Sequence, residues 1–273
     1  MLTFPDEVNK AGCPNCELLP DWDTLQTLPW ASDATRTVQR VYCSQGAVGG
    51  GVNQATPREV CKRMLEELRS FEGRGLELMA ASELEFQVLK RDDAGALAPV
   101  FQGVDIFATL QNNKCAELMY AIEANCEPVG VDILTMNAEY GAGQLEITMA
   151  PAKGIASCDN AATYRTCVKE LAQQRGLLAT FFSYPMGAEG VGNGGHFNFS
   201  LWEGEASAMQ DVANEDGMSE TAQHFLAGVL AHASAMEALC APTESCYSRH
   251  GHWAPSKADW GIDDRMRCVR VKS

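Results

Sequence analysis

The sequence predicts an α+β fold built around one large domain. Strand-like and helix-like segments are mixed along the chain but do not alternate strictly, which fits α+β better than a doubly wound parallel sheet. The 273 residues are 46% hydrophobic and 21% charged, a globular composition with room for a sizeable core. No internal repeat interrupts this pattern.

Residues 1–55 read as irregular, with Pro5, Pro14, Pro20 and Pro29 followed by Gly46, Gly49, Gly50 and Gly51. One strand is expected there, over 37–43. This is too little material for a core of its own. A helix is expected from Pro57. Thr56 is placed to cap it, proline suits the first helical position, and Glu59 completes a capping box. Val60, Met64, Leu68 and Phe71 then recur at helical spacing. Division at 55/56 follows, with the main domain over 56–273. Further strands are expected over 78–89, 131–136, 144–149, 177–182 and 196–202. Further helices are expected over 114–124, 159–175 and 220–239, with Gly176 stopping the second.

Charge and cysteine usage narrow the function classes. Thirty-six acidic residues against 21 basic ones give a net charge of −15. Such a chain repels phosphate backbones and anionic lipid, so neither nucleic acid nor a membrane is the expected partner. Clustered carboxylates can instead hold divalent cations. There is no apolar run of about 18 residues, and the stretch MLTFPDEVNK is not expected to act as a secretory leader. Eleven cysteines without such a leader suggest free thiols in a reducing, cytoplasmic setting. Cys13-Pro-Asn-Cys16 is a lone CxxC, read as a solvent-facing loop.

Three acidic or imidazole features stand out. Glu83 and Glu85 are two apart on an expected strand, so both point to one face, with Leu84 and Phe86 on the other. Alone, this is also the pattern of a solvated strand face. Glu139 and Glu146 bracket a Gly141-Ala-Gly143 turn that can bring both toward one point, although an ordinary hairpin has polar ends too. His196 follows Gly194-Gly195, where backbone can approach a ligand closely, and a neutral imidazole is a common metal ligand. The loop Gly190-Val-Gly-Asn-Gly-Gly195 matches GxGxxG, but it leads into an expected strand rather than a helix, against a dinucleotide site. His224, His232, His250 and His252 are read as structural or loop residues.

Together, PDWDTLQTLPWA, SELEF, EYGAGQLEI, ATFFSYP, GNGGHFNFSL, HFLAGVLAHASA and APTESCYSR, followed by WGIDDRMRCVRV, resemble the glutamine synthetase superfamily in order and spacing. The first of these segments and the cysteine-rich N-terminus are most similar to lengsin, a glutamine synthetase-like branch of vertebrate lens. The resemblance implies the catalytic-domain fold of that family, a curved antiparallel sheet with packed helices, preceded by a remnant of its β-grasp domain. It implies synthesis of glutamine from glutamate, ammonia and ATP through a γ-glutamyl phosphate, with two Mg2+ or Mn2+ ions. Glu85, Glu139 and Glu146 match the ligands of one ion; Glu83 and His196 match two ligands of the other. Arg249 matches the arginine that holds the substrate carboxylate, Gly192 a backbone contact to it, and Arg265 and Arg270 arginines near the nucleotide phosphates.

Departures from the family pattern shape a further expectation. Tyr184 stands for a lysine, Val191 for an asparagine, Ser245-Cys246 for Asn-Ser, Trp253 for the glutamate of a closing loop, and Asp264 for an asparagine. The family pattern also extends beyond both ends of this sequence, to a third ligand of the second ion and to an aspartate that a neighbouring subunit lends. The expectation is an inactive or impaired relative with a structural role, homo-oligomeric in longer form and binding cytoskeletal partners. An active carboxylate–amine ligase is the alternative, and an aggregation-prone truncated product a third.

Overall fold

The computed structural model describes residues 6–10, 12, 15–47, 49–103, 106–187 and 190–272. They form two compact units, Met1–Gly75 and Leu76–Ser273.

The first unit holds α1 (Asp6–Lys10), β1 (Leu18–Thr27), β2 (Gln39–Gln45) and α2 (Pro57–Ser70). β1 and β2 pair antiparallel, with a register break between Asp21 and Gln26. β1 was not expected, because Pro20, Asp21 and Asp23 are poor strand formers. α2 starts at Pro57 as expected, but the capping box does not form. The Thr56 hydroxyl donates to the Asn53 carbonyl at 2.9 Å instead, and Glu59 accepts from Ser44. The expected apolar stripe also stays open: Val60, Met64 and Phe71 are exposed. Asp21 binds Arg58 at 2.8 Å and Lys62 at 3.0 Å. Only Leu28 and Trp30 are buried apolar side chains among this unit's described residues. Cys13 of the CxxC lies outside the described residues; Cys16 is an exposed free thiol.

The second unit runs β3 (Leu76–Arg91), β4 (Leu97–Pro99), α3 (Thr109–Lys114), α4 (Ala116–Cys126), β5 (Ile133–Ala138), β6 (Gln144–Met149), β7 (Ala152–Lys153) and α5 (Ile155–Gln174). It continues through β8 (Leu178–Thr180), β9 (Gly195–Glu203), β10 (Ala206–Ser207), α6 (Glu220–Cys240), α7 (Glu244–Tyr247), β11 (Trp260–Ile262) and β12 (Val269–Val271). An eight-stranded antiparallel sheet has the order β10-β9-β3-β6-β5, with β4, β7 and β8 also paired to β3. The mixed, largely antiparallel α+β architecture is the one expected. The helix expected over 114–124 is broken at Cys115 into α3 and α4. Gly176, with φ of 68°, ends α5 as expected.

The core forms on one side of the sheet. Phe86, Val88, Leu145, Ile147 and Leu201 are at most 2% exposed, as are Leu118, Ile122 and Cys126 of α4 and Tyr164, Cys167, Val168 and Leu171 of α5. Burial of this aliphatic and aromatic surface is the main force holding β3 in place. α6 is less enclosed: Ala222 and Leu226 are buried, Phe225 lies 5.6 Å from Phe199, and His224 and His232 face solvent. Val269 and Val271 of β12 pack against the Met218–Ala222–Leu226 cluster. Among the described residues, no helix is long and apolar enough to cross a membrane.

Candidate metal and substrate site

The sheet register assembles the site. On β3, Glu83 and Glu85 project to the face opposite Phe86, by the two-residue period of a strand. Glu85 lies directly across from Glu146 of β6, and Glu83 across from His196 of β9. Residues directly opposite in an antiparallel pair share a face, so these four side chains come together. Glu139 joins them at the end of β5, where its N–H donates to the Gln144 carbonyl at 2.9 Å. The turn between them needs Gly143, which has φ of 67° and would place a Cβ 2.5 Å from the Val88 carbonyl oxygen.

Protein donors already hold three of the carboxylates. Glu83 pairs with His196 Nδ1 at 3.0 Å and accepts from Asn198 at 3.3 Å. Glu85 accepts from Gln144 Nε2 at 2.9 Å and from the Gly194 N–H at 2.6 Å. Glu139 accepts from Asn137 at 3.0 Å and from the Tyr140 N–H at 3.3 Å. Among the described residues no three of these groups are closed around one point as a metal cluster. They form an open face on which Glu83, Glu85 and Glu139 each have their own protein partners.

Electrostatics on this face are unfavourable without a counter-charge. Burial, then the charges of Glu83, Glu139 and Glu85, push the Glu146 carboxyl up to about 8. Burial likewise raises Glu85 and Glu139. Glu83 moves the other way, down to about 2, because His196 hydrogen-bonds to it, and His196 is raised in return. Four carboxylates and one imidazole are a hard, oxygen-rich donor set of the kind that suits Mg2+ or Mn2+. The residues present therefore fit the cations that the sequence implies.

A second cluster adjoins the acids. Arg249 donates through Nη1 to the Asn193 carbonyl, while its Nε is buried without a partner among the described residues. Gly192 sits against it. A Cβ there would lie 2.9 Å from the Ser183 oxygen, 2.9 Å from the Tyr184 ring and 3.0 Å from Arg249 Nε. Only glycine lets the loop approach so closely. Cys246, behind this loop, lies 3.1 Å from the Ser183 hydroxyl and 3.0 Å from that of Thr243. Arg265 is exposed in the turn between β11 and β12, and Arg270 is on β12 opposite Gly261. Among the described residues no hydrogen bond or ion pair joins either of them to the acidic face. Trp253 is 84% exposed with φ of 56°. The glycine loop runs into β9, as expected, and not into a helix.

Several polar partners were not foreseen: Gln87, Asn137, Gln144, Asn193 and Asn198. Four of them carry a readable signal, since Gln87 follows Glu85 by two, Asn137 precedes Glu139 by two, Gln144 precedes Glu146 by two and Asn198 follows His196 by two. Each therefore shares the face of its neighbour.

Comparison with known proteins agrees with this fold. Residues 54–273 match the family described as glutamine synthetase, catalytic domain. Glutamine synthetase of Staphylococcus aureus (strain MW2) is 33% identical over 263 residues, 94% of this chain and 57% of the relative. That of Mycolicibacterium smegmatis is 32% identical over 257 residues, 92% of this chain and 56% of the relative. A solved structure described as a novel glutamine synthase homolog superposes with a TM-score of 0.80 at 26% identity, covering 94% of this chain and 59% of the other. A GmaS/ADP complex gives a TM-score of 0.81 at 25% identity, covering 93% and 59%. The chain thus spans a little over half the length of the relatives it matches. With its sheet, its acidic face and a match over residues 54–273, the chain belongs to the glutamine synthetase catalytic-domain family.

Proposed function

We propose that this chain carries the cation and acid-binding face of an ATP-dependent carboxylate–amine ligase of the glutamine synthetase type, with impaired or altered turnover. The observation that supports this best is the convergence of Glu83, Glu85, Glu146 and His196 through strand register, with Glu139 at the adjoining turn. Residues 56–273 would form the catalytic domain. Glu85, Glu139 and Glu146 would hold one Mg2+ or Mn2+, and Glu83 and His196 would contribute to a second. Bound there, the cations would neutralise charge on the phosphate oxygens of ATP.

The protein's own groups have separable tasks. Arg249 would clamp the carboxylate of glutamate or a related acid, with its guanidinium steadied by the Asn193 carbonyl. Gly192 keeps the loop low enough for backbone to reach that acid. Arg265 and Arg270 would serve the nucleotide phosphates. A solved relative described as a complex with ADP supports a nucleotide as co-substrate. Ammonia or an amine would be the acceptor, and homo-oligomer formation is part of the same proposal.

Impairment is favoured by substitution at the closing and substrate positions. Trp253 presents an exposed indole where the resembling family has a carboxylate, and Asp264 is engaged by Arg267 at 2.9 Å. A lengsin-like structural role is the second reading, and Trp253 is the residue that favours it.

Phosphate release with glutamate, ammonium, ATP and Mn2+, alongside Mn2+ binding by calorimetry, tests the proposal. The expected result is Mn2+ binding that Glu146→Ala abolishes, with slow phosphate release. Failure of the wild-type chain to bind Mn2+ overturns the proposal. Rapid, Glu146-dependent turnover overturns the impairment alone.

A further inference from the structure

Gln144 is 1% exposed at the centre of the site, yet it is not a charged residue and its atoms are too deep to meet a ligand. Its amide has four polar partners. Oε1 accepts from the Gly141 N–H at 2.7 Å. Nε2 lies 2.9 Å from Glu85 Oε2, 3.1 Å from the Gly192 carbonyl oxygen and 3.1 Å from Asn193 Oδ1. The orientation is fixed by chemistry. One end faces a backbone N–H and must accept; the other faces a carboxylate, a carbonyl and an amide oxygen and must donate.

These partners lie on three different pieces of the site. Gly141 is in the turn that carries Glu139. Glu85 is in the central strand. Gly192 and Asn193 are in the glycine loop that Arg249 also grips. Asn193 extends the network by donating to the Thr180 and Phe182 carbonyls at 3.2 and 2.8 Å. On the neighbouring strand Gln87, directly across from Gln144, donates to the Val191 carbonyl at 3.3 Å. Two strand amides thus hold the loop by successive carbonyls.

No other side-chain type meets these demands. Glutamate would set another negative charge beside Glu85 and lose both donor protons. Methionine has the length but leaves the Gly141 N–H and the Gly192 carbonyl unsatisfied in a buried place. Asparagine falls one methylene short.

We propose that Gln144 is a positioning residue for the ligase site. It fixes the rotamer of Glu85 and the height of the glycine loop at once, and ties both to the Glu139 turn. With Gly194 it occupies Glu85 Oε2, which leaves Oε1 as the oxygen presented to a ligand. The inference rests on the acidic face being a cation site, so its test carries a second readout that does not depend on a cation.

The experiment compares wild type with Gln144→Met, the near-isosteric Gln144→Glu and a remote core control, Ile122→Ala. Mn2+ affinity is measured by electron paramagnetic resonance, and the Gly194 amide is followed in a 1H–15N spectrum without metal. Both Gln144 variants should weaken Mn2+ binding about 10–100-fold, the range for loss of a partner behind a metal ligand. The Gly194 amide proton, which sits in a 2.6 Å bond to Glu85, should move upfield in both. Ile122→Ala should lower the melting temperature but keep Mn2+ affinity within about twofold, since distant sites act independently. Unchanged Mn2+ affinity and an unmoved Gly194 signal in a folded Gln144 variant overturn the inference. If the wild type binds no Mn2+, the cation reading fails; a moved Gly194 signal then still supports the positioning role, and an unmoved one overturns it. Should Gln144→Met fail to fold, Gln144→Glu, which leaves no cavity, decides.

Discussion

At the scale of single residues, Glu146 is the clearest case of fold energy conceded to a site. Burial and three neighbouring carboxylates oppose its ionisation. An isosteric Glu146→Gln removes that opposition, so in chelator-treated protein at neutral pH it should stabilise the second unit by roughly 1–3 kcal/mol, seen as a higher melting temperature. The same substitution should abolish Mn2+ binding; a lower melting temperature would show that the acid is not crowded. Single residues were also where the sequence was most informative. Glu83 and Glu85 could be placed on one face from strand spacing, and Glu139 and Glu146 near one point from a glycine turn, whereas only the family resemblance joined them to His196. Gln87, Asn137, Gln144 and Asn198 obey the same two-residue rule but were passed over, because an uncharged amide gives no signal until its partner is known. Asn193 was invisible for a different reason: it lies in a loop, where no periodicity tells which way a side chain points.

At the scale of elements, β3 has two opposed jobs. Its Glu83, Glu85 and Gln87 build the site, while Phe86 and Val88, both fully buried, anchor the strand to the core. Phe86→Ala should cost about 3–5 kcal/mol of stability by urea denaturation, the usual cost of emptying a buried aromatic position. Because the two faces share one backbone, Mn2+ affinity should fall with it even below the melting range. The turn over 139–143 is the second sensitive element. Gly143→Ala would put a Cβ 2.5 Å from the Val88 oxygen at a positive φ, and should cost about 1–3 kcal/mol, read in the same denaturation experiment. These elements were legible from alternation and from Gly141 and Gly143. β1 was not, since Pro20, Asp21 and Asp23 argue against a strand locally and only pairing with β2 overrides them. The α2 capping box failed for a similar reason: Ser44 claims Glu59, and Asn53 claims the Thr56 hydroxyl.

At the scale of the whole molecule, the two units differ in what supports them. The first has two buried apolar side chains among its described residues, and relies on the Asp21 pairing with Arg58 and Lys62. Hydrogen bonds from Arg58 and Lys62 hold the Asp21 carboxyl below its usual range. Its contribution is therefore complete above the unfolded value near 3.8 and disappears as pH falls through the lower folded value. Asp21→Asn should cost about 1 kcal/mol at neutral pH, the upper end for ion pairs near a surface. It should also flatten the acid dependence of hydrogen exchange in β1, β2 and α2; an unchanged acid limb would count against the pairing. The fold class of the second unit was readable because mixed segments signal α+β, whereas the short strands β4, β7, β10, β11 and β12 are too brief to show a period. Synthesis order gives the central strand its last consequence. β3 is complete once residue 91 has been made, but it borders β6 and β7 along one edge and β9 and β8 along the other, and β9 comes only with residues 195–203. Until then a nascent chain displays a long open backbone edge beside a greasy face. Folding should accordingly be slow and chaperone-assisted, limited by this late long-range pairing and not by its helices.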